Sequence, residues 1–103
     1  MRTFPKSLAA FRQVVEKRGA LLRSKTFDEL KQMGDEPVEH LEVESRPSTI
    51  GLIVQSMPDG SLRVVVQGFM KAWIGRNVAL DGFYKHPDGT VTPMTSRELY
   101  QFD

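Results

Sequence analysis

A chain of 103 residues, 40% hydrophobic and 26% charged, has room for one modest hydrophobic core and not for two comfortable domains. Its net charge of +1 excludes a polyelectrolyte, and the absence of cysteine excludes disulfides, thiolate zinc sites and a Cys nucleophile. The longest apolar run near the start, "LAAF", falls short of the roughly 7–15 residues of a secretion signal, and no stretch nears the ~20 of a membrane span. The expectation is a cytoplasmic protein with no membrane segment.

Charge is unevenly spread. Residues 1–33 hold eight Lys/Arg against three Asp/Glu, and residues 34–48 hold five acids against one Arg. Either the basic helices lie beside the acidic strand and neutralise it, or the basic end meets an anionic partner.

In chain order, residues from Pro5 to Arg23 read as a helix, with Leu8, Phe11, Val15 and Leu22 on one face beside Val14 and Leu21. Arg18 interrupts that face next to Gly19. The helix bends or stops there, or Arg18 extends past the core edge, or it pairs with a buried carboxylate. "TFDE" at 26–29 is a capping box that starts a short helix presenting Phe27, Leu30 and Met33, with Gly34 as its stop.

The hydrophobic period then changes from helical to two. "HLEVES" (40–45) alternates into a half-buried strand whose outward carboxylates and following Pro47 suit a sheet edge. "STIGLIVQS" (48–56) is a second strand with Gly51 as a candidate bulge, and "SLRVVVQGFMKAW" (61–73) a third, bending near Gly68. "VALDGFYK" (78–85) and "TVTP" (90–93) follow, and "TSRE" (95–98) is a second capping box. Pro58-Asp59-Gly60 and Pro87-Asp88-Gly89 predict the same hairpin turn twice, with Pro opening it and Gly taking the left-handed position.

The predicted fold is α+β: an N-terminal helix pair packed on a four- to five-stranded antiparallel meander, with a short C-terminal helical turn. As one domain over 1–103 it divides into a helical part (5–34), a sheet (38–94) and the terminal turn (95–103).

Candidate chemistry is thin. There is no phosphate-binding glycine loop, nucleophile elbow or His-Glu-x-x-His, and the two histidines, His40 and His86, stand on separate strands. No metal, cofactor or catalytic residue is assigned. Asp81, Tyr84, His86 and Asp88 lie close in sequence, but alternation sends Asp81 and Tyr84 to opposite faces and leaves His86 at a turn.

The third strand carries the functional expectation. Leu62, Val64, Val66, Met70, Ala72 and Ile74 face the helices, while Arg63, Val65, Gln67, Phe69, Lys71 and Trp73 face the other way. Aromatics beside cations suit protein hot spots and stacked single-stranded nucleic acid. The reading is a small non-catalytic binding domain that recognises a protein partner, or a second copy of itself. Its partner-binding residues are Arg63, Phe69, Lys71, Trp73, Phe83 and Tyr84, the last two on opposite faces of their strand. The alternative is nucleic-acid binding through Arg63, Lys71, Arg12, Lys17 and Arg23. A third reading is a small enzyme with His86 as acid or base.

Overall fold

The computed structural model describes residues 6–71 and 75–100. Two N-terminal helices, α1 (Lys6–Arg23) and α2 (Phe27–Met33), pack on a five-stranded antiparallel sheet. Its strands are β1 (Glu36–Val43), β2 (Arg46–Ser56), β3 (Leu62–Lys71), β4 (Arg76–Lys85) and β5 (Val91–Pro93), side by side in chain order, and α3 (Ser96–Leu99) follows. The fold is therefore α+β.

α1 buries Phe11, Val15, Gly19 and Leu22, steps of four, four and three that hold one face to the sheet. Leu21, expected beside that face, is instead 57% exposed. The helix does not end at Gly19 but runs on to Arg23. Arg18 reaches sideways to Glu39 on β1, Nη2 to Oε1 at 3.0 Å, in an ion pair exposed on both sides. The partly buried pairing comes one turn later, at Arg23. Both predicted capping boxes form: Thr26 with Glu29 opens α2, and Thr95 with Glu98 opens α3. Gly34 ends α2 with φ of 60°, its N–H donating to the Leu30 carbonyl.

Three local expectations are corrected. The first strand runs from Glu36 to Val43 rather than 40–45, because Glu44 and Ser45 form the hairpin turn with φ of 50° and 67°. Both turn positions take positive φ, as a two-residue hairpin of the right twist requires, although neither is Gly or Asn. Pro47 accordingly lies within β2, opposite Glu42. The bulge lies not at Gly51 but in β1, between Glu36 and Glu39 opposite that glycine. No register break occurs at Gly68, since β3 pairs without slip from Leu62 to Met70 with β2 and to Lys71 with β4. Gly68 has a packing reason: a Cβ there would come within 2.7 Å of Phe11 and 2.9 Å of Val15, so α1 lies directly on the strand.

The two Pro-Asp-Gly turns are twins. Met57 N–H donates to Ser61 O at 2.9 Å and Gly60 N–H to Met57 O at 3.0 Å; His86, Gly89 and Thr90 repeat this at 2.9 and 2.8 Å. Gly60 and Gly89 both have φ of 94°. In each turn the Asp carboxylate accepts from the backbone N–H and hydroxyl two residues on, at Ser61 and at Thr90.

Unbroken register sorts the side chains. Leu62, Val64, Val66 and Met70 of β3 join Ile50 and Leu52 of β2, Ala79 and Phe83 of β4, and Phe11, Val15, Leu22 and Leu30 of the helices in one core. Among them, a fully buried Phe, Leu, Met or Val side chain such as Phe11, Leu30, Met70 or Val64 contributes about 1.5–3 kcal/mol over its exposed state. Phe83 is 0% exposed in this layer. That removes it from the predicted binding surface and leaves Tyr84 on the opposite face.

Candidate functional site

The face turned away from α1 and α2 is crossed by rows of paired residues. Gln55, Arg63, Tyr84 and Thr92 form one row, and Ile53, Val65 and Gly82 the next. Gly51, Gln67 and Leu80 follow, then His40, Thr49, Phe69 and Val78. Glu42 beside Pro47 and Lys71 beside Arg76 complete the far end.

α3 packs on the first two rows. The Arg63 guanidinium, in a residue 8% exposed, donates to the Glu98 carbonyl at 3.0 Å. Tyr84 donates its hydroxyl proton to Glu98 Oε2 at 3.0 Å. A Cβ on Gly82 would stand 2.9 Å from Leu99 and 3.0 Å from Met94, so the glycine lets this segment lie flat on the sheet. Glu98 is held below its ordinary carboxyl value, chiefly by the Thr95 N–H and then by the Tyr84 hydroxyl. Tyr84 is pushed above its ordinary value, first by burial and then by the adjacent carboxylate.

Beyond Val65 the cover thins to Leu99 and Tyr100, which border Val78 and Leu80 on the β4 side. Phe69, Thr49, Gln67 and Leu80 are half-buried, and His40, Val78, Lys71 and Arg76 are exposed. The Arg76 guanidinium stacks over the Phe69 ring, 4.4 Å from its centroid. This is a cation–π contact at an accessible site, worth about 0.5–1 kcal/mol. A hollow of about 290 Å³ beside Phe69 is walled by His40, Pro47, Thr49, Lys71 and Arg76.

The predicted residues therefore separate. Phe69, Lys71 and Tyr84 share this face, Lys71 exposed and Tyr84 half under α3. Arg63 is on the same face but committed beneath α3. Trp73 lies outside the described residues. Sequence reasoning missed Arg76, Val78 and Leu80, which carry the same alternation as Phe69 once the side taken by Phe83 is known.

A second hollow, about 420 Å³, lies between the twin turns and is lined by Met57, Pro58, Asp59, Tyr84, His86 and Thr92 among others. His86 Nε2 lies 2.7 Å from the Thr92 hydroxyl. Asp59 is held below its ordinary value mainly by the Ser61 hydroxyl, and Asp88 mainly by the Thr90 N–H. Those carboxylates are engaged in building the turns. Of the other cations proposed for nucleic acid, Arg23 is also engaged, donating to both Asp81 oxygens at 2.8 and 3.0 Å.

Comparison with protein-family models, with curated proteins and with solved structures returns no match.

Proposed function

We propose that this is a small non-catalytic binding domain that recognises a protein partner through the more open half of its sheet. The observation that carries the reading is the thinning of the cover. Val65, in the row where Leu99 and Met94 pack over Gly82, is 1% exposed, while the rows through Phe69 and Val78 on the same face stay accessible, Val78 at 40%. An aromatic under an Arg, ringed by Lys71, His40, Val78 and Leu80, has the make-up of a protein contact centre.

Size bears on affinity. Four strands about 4.8 Å apart and three rows about 6.8 Å apart make a patch of roughly 300–400 Å² in plan. A standard interface takes about 800 Å² from each partner, so this face alone suits a transient contact. Nucleic acid is the weaker alternative, because Arg23 and Arg63 are occupied within the fold.

The test is affinity capture from the native host, comparing wild type with Phe69→Ser and Lys71→Glu. Loss of the same co-purifying protein in both variants, with unchanged thermal unfolding, supports the reading; retention in both overturns it. An oligonucleotide gel shift at low salt that weakens steeply as salt rises would favour nucleic acid instead.

A further inference from the structure

Among the described residues the sheet also has an open edge, and its hydrogen-bonding pattern can be followed residue by residue. In an antiparallel ladder, alternate residues send both backbone groups to one neighbour. The Met57–Ser61 bond starts the β2–β3 ladder, so odd-numbered residues of β3 bond to β2 and even-numbered ones to β4. Their partners on β4 are odd-numbered, from Lys85 opposite Leu62 to Asn77 opposite Met70. Even-numbered β4 residues therefore point outward. The other flank agrees, since His86 N–H bonds Thr90 on the β5 side. Gly82 O, another outward group, is taken by Arg23 Nη2 at 3.2 Å.

β5 pairs only with Phe83–Lys85. Arg23 closes the edge at Gly82. From there back to Arg76, the N–H and C=O groups of Arg76, Val78 and Leu80 face outward, and no described strand pairs with them. Such an edge is ordinarily blunted by a bulge, a proline or a central charge. Asn77-Val78-Ala79-Leu80 has none of these, and its pairing with β3 is unbroken. The edge lies in a groove of about 190 Å³, between Arg12, Val15 and Glu16 of α1 on one side and Ser96, Leu99 and Tyr100 on the other.

We propose that β4, from Arg76 to Leu80, takes an extended segment of a partner protein as an added strand, with alternate apolar side chains beside Val78 and Leu80. This contact is made by the backbone edge of β4 and not by Phe69, although Val78 and Leu80 border both surfaces. The walls decide the occupant. A thin peptide enters between α1 and α3, whereas the β4 edge of a second copy carries the same walls. A two-fold axis would set wall against wall before the strands closed to the ~4.8 Å of a ladder.

Amide exchange on the free protein is the first measurement. Asn77, Ala79 and Asp81 amides are expected to exchange slowly, and those of Arg76, Val78 and Leu80 fast. Slow exchange at Val78 and Leu80 in the free monomer would mean that the edge is already filled by this chain, and would overturn the proposal. The second uses acetyl-Thr-Val-Lys-Val-Thr-amide as the probe, followed by amide chemical shifts. The Val78 and Leu80 signals should move and their exchange should slow. N-methylating one alternate set of peptide residues should weaken binding about tenfold, and the other set should not, since only one set faces β4.

Val78→Pro removes one outward N–H without touching a β3 bond, so it should stay folded and bind the peptide at least several-fold more weakly. If it unfolds, the N-methylated peptides decide. Phe69→Ser should keep peptide binding, which separates this edge from the sheet face. No shift at Val78 and Leu80 with millimolar peptide, equal binding by both N-methylated sets, or a sedimentation dimer abolished by Val78→Pro would each defeat the proposal.

Discussion

Arg18 and Arg23 of α1 reach opposite flanks of the sheet, and the two contacts differ in kind. At β1, Arg18 makes one 3.0 Å contact to Glu39, with side chains 37% and 55% exposed. At β4, Arg23 grips both oxygens of Asp81, reaches the Gly82 carbonyl and lies 4.8 Å from the centroid of the buried Phe83 ring. Lys85 Nζ, in a residue 6% exposed, then caps the Arg23 carbonyl at 3.1 Å, a cation at the C-terminus of a helix. The flanks differ in protection too. β1 carries Glu36, Glu39 and Glu42 and a bulge, whereas β4 is regular and apolar at its centre. The better-anchored flank is thus the one left able to accept a strand. Rigid anchorage fits that role, because a template strand that is already ordered costs little further entropy on pairing.

That contrast can be broken in order of effect. Arg23→Ala leaves Asp81 half-buried without its cation and should cost about 2–3 kcal/mol in urea unfolding. A loss no larger than that of an exposed pair would make the two flanks equivalent.

Gly19→Ala comes next. In an exposed helix the change would gain about 1 kcal/mol. Here the added Cβ overlaps the Asp81 carboxylate, so a net loss of about 1–2 kcal/mol is expected from displaced packing. A gain in melting temperature would show that the pair shifts aside without cost.

Arg18→Ala should change stability by less than about 1 kcal/mol, as exposed pairs do. The double variant Arg18→Ala/Arg23→Ala should add to within about 0.5 kcal/mol if the flanks act independently.

The smallest effect is local and concerns the cover over Tyr84. The lowered Glu98 value means that its cap to Thr95 and its bond from Tyr84 are fully made above the ordinary 4.5 and weaken as pH falls through the folded value beneath it. The raised Tyr84 value works at the other extreme. Docking holds below the ordinary 10.0 and weakens as pH rises past it, when the phenolate no longer donates to Glu98. Leu99 methyl signals against pH should show both limits, and a flat response would mean that the Tyr84–Glu98 bond does not hold α3.

Much of the fold was legible because its signals are local. The capping boxes at Thr26 and Thr95, the twin Pro-Asp-Gly turns and the two-residue period from 62 onward each need only neighbouring residues, and each formed. The turn at Glu44–Ser45 was not legible, since neither residue advertises positive φ and the hairpin imposes it. The candidate site was half legible. Alternation placed Phe69 and Lys71 with Arg63 on the face away from the helices, but Arg63 and Tyr84 were drawn under α3 by contacts 35 and 14 residues away in sequence.

The sequence by itself determined the α+β order, the split of β3 into two faces and the form of its paired Asp-Gly hairpins. These follow from periodicity and φ preferences, which a chain carries wherever it folds. Only the tertiary structure decided that Gly68 is a landing point for α1 and Gly19 the point where α1 meets Asp81, that Arg23 and Asp81 pair, and which flank of the sheet stays open among the described residues. Those outcomes depend on which side of a strand another element happens to cover, and no local pattern encodes that.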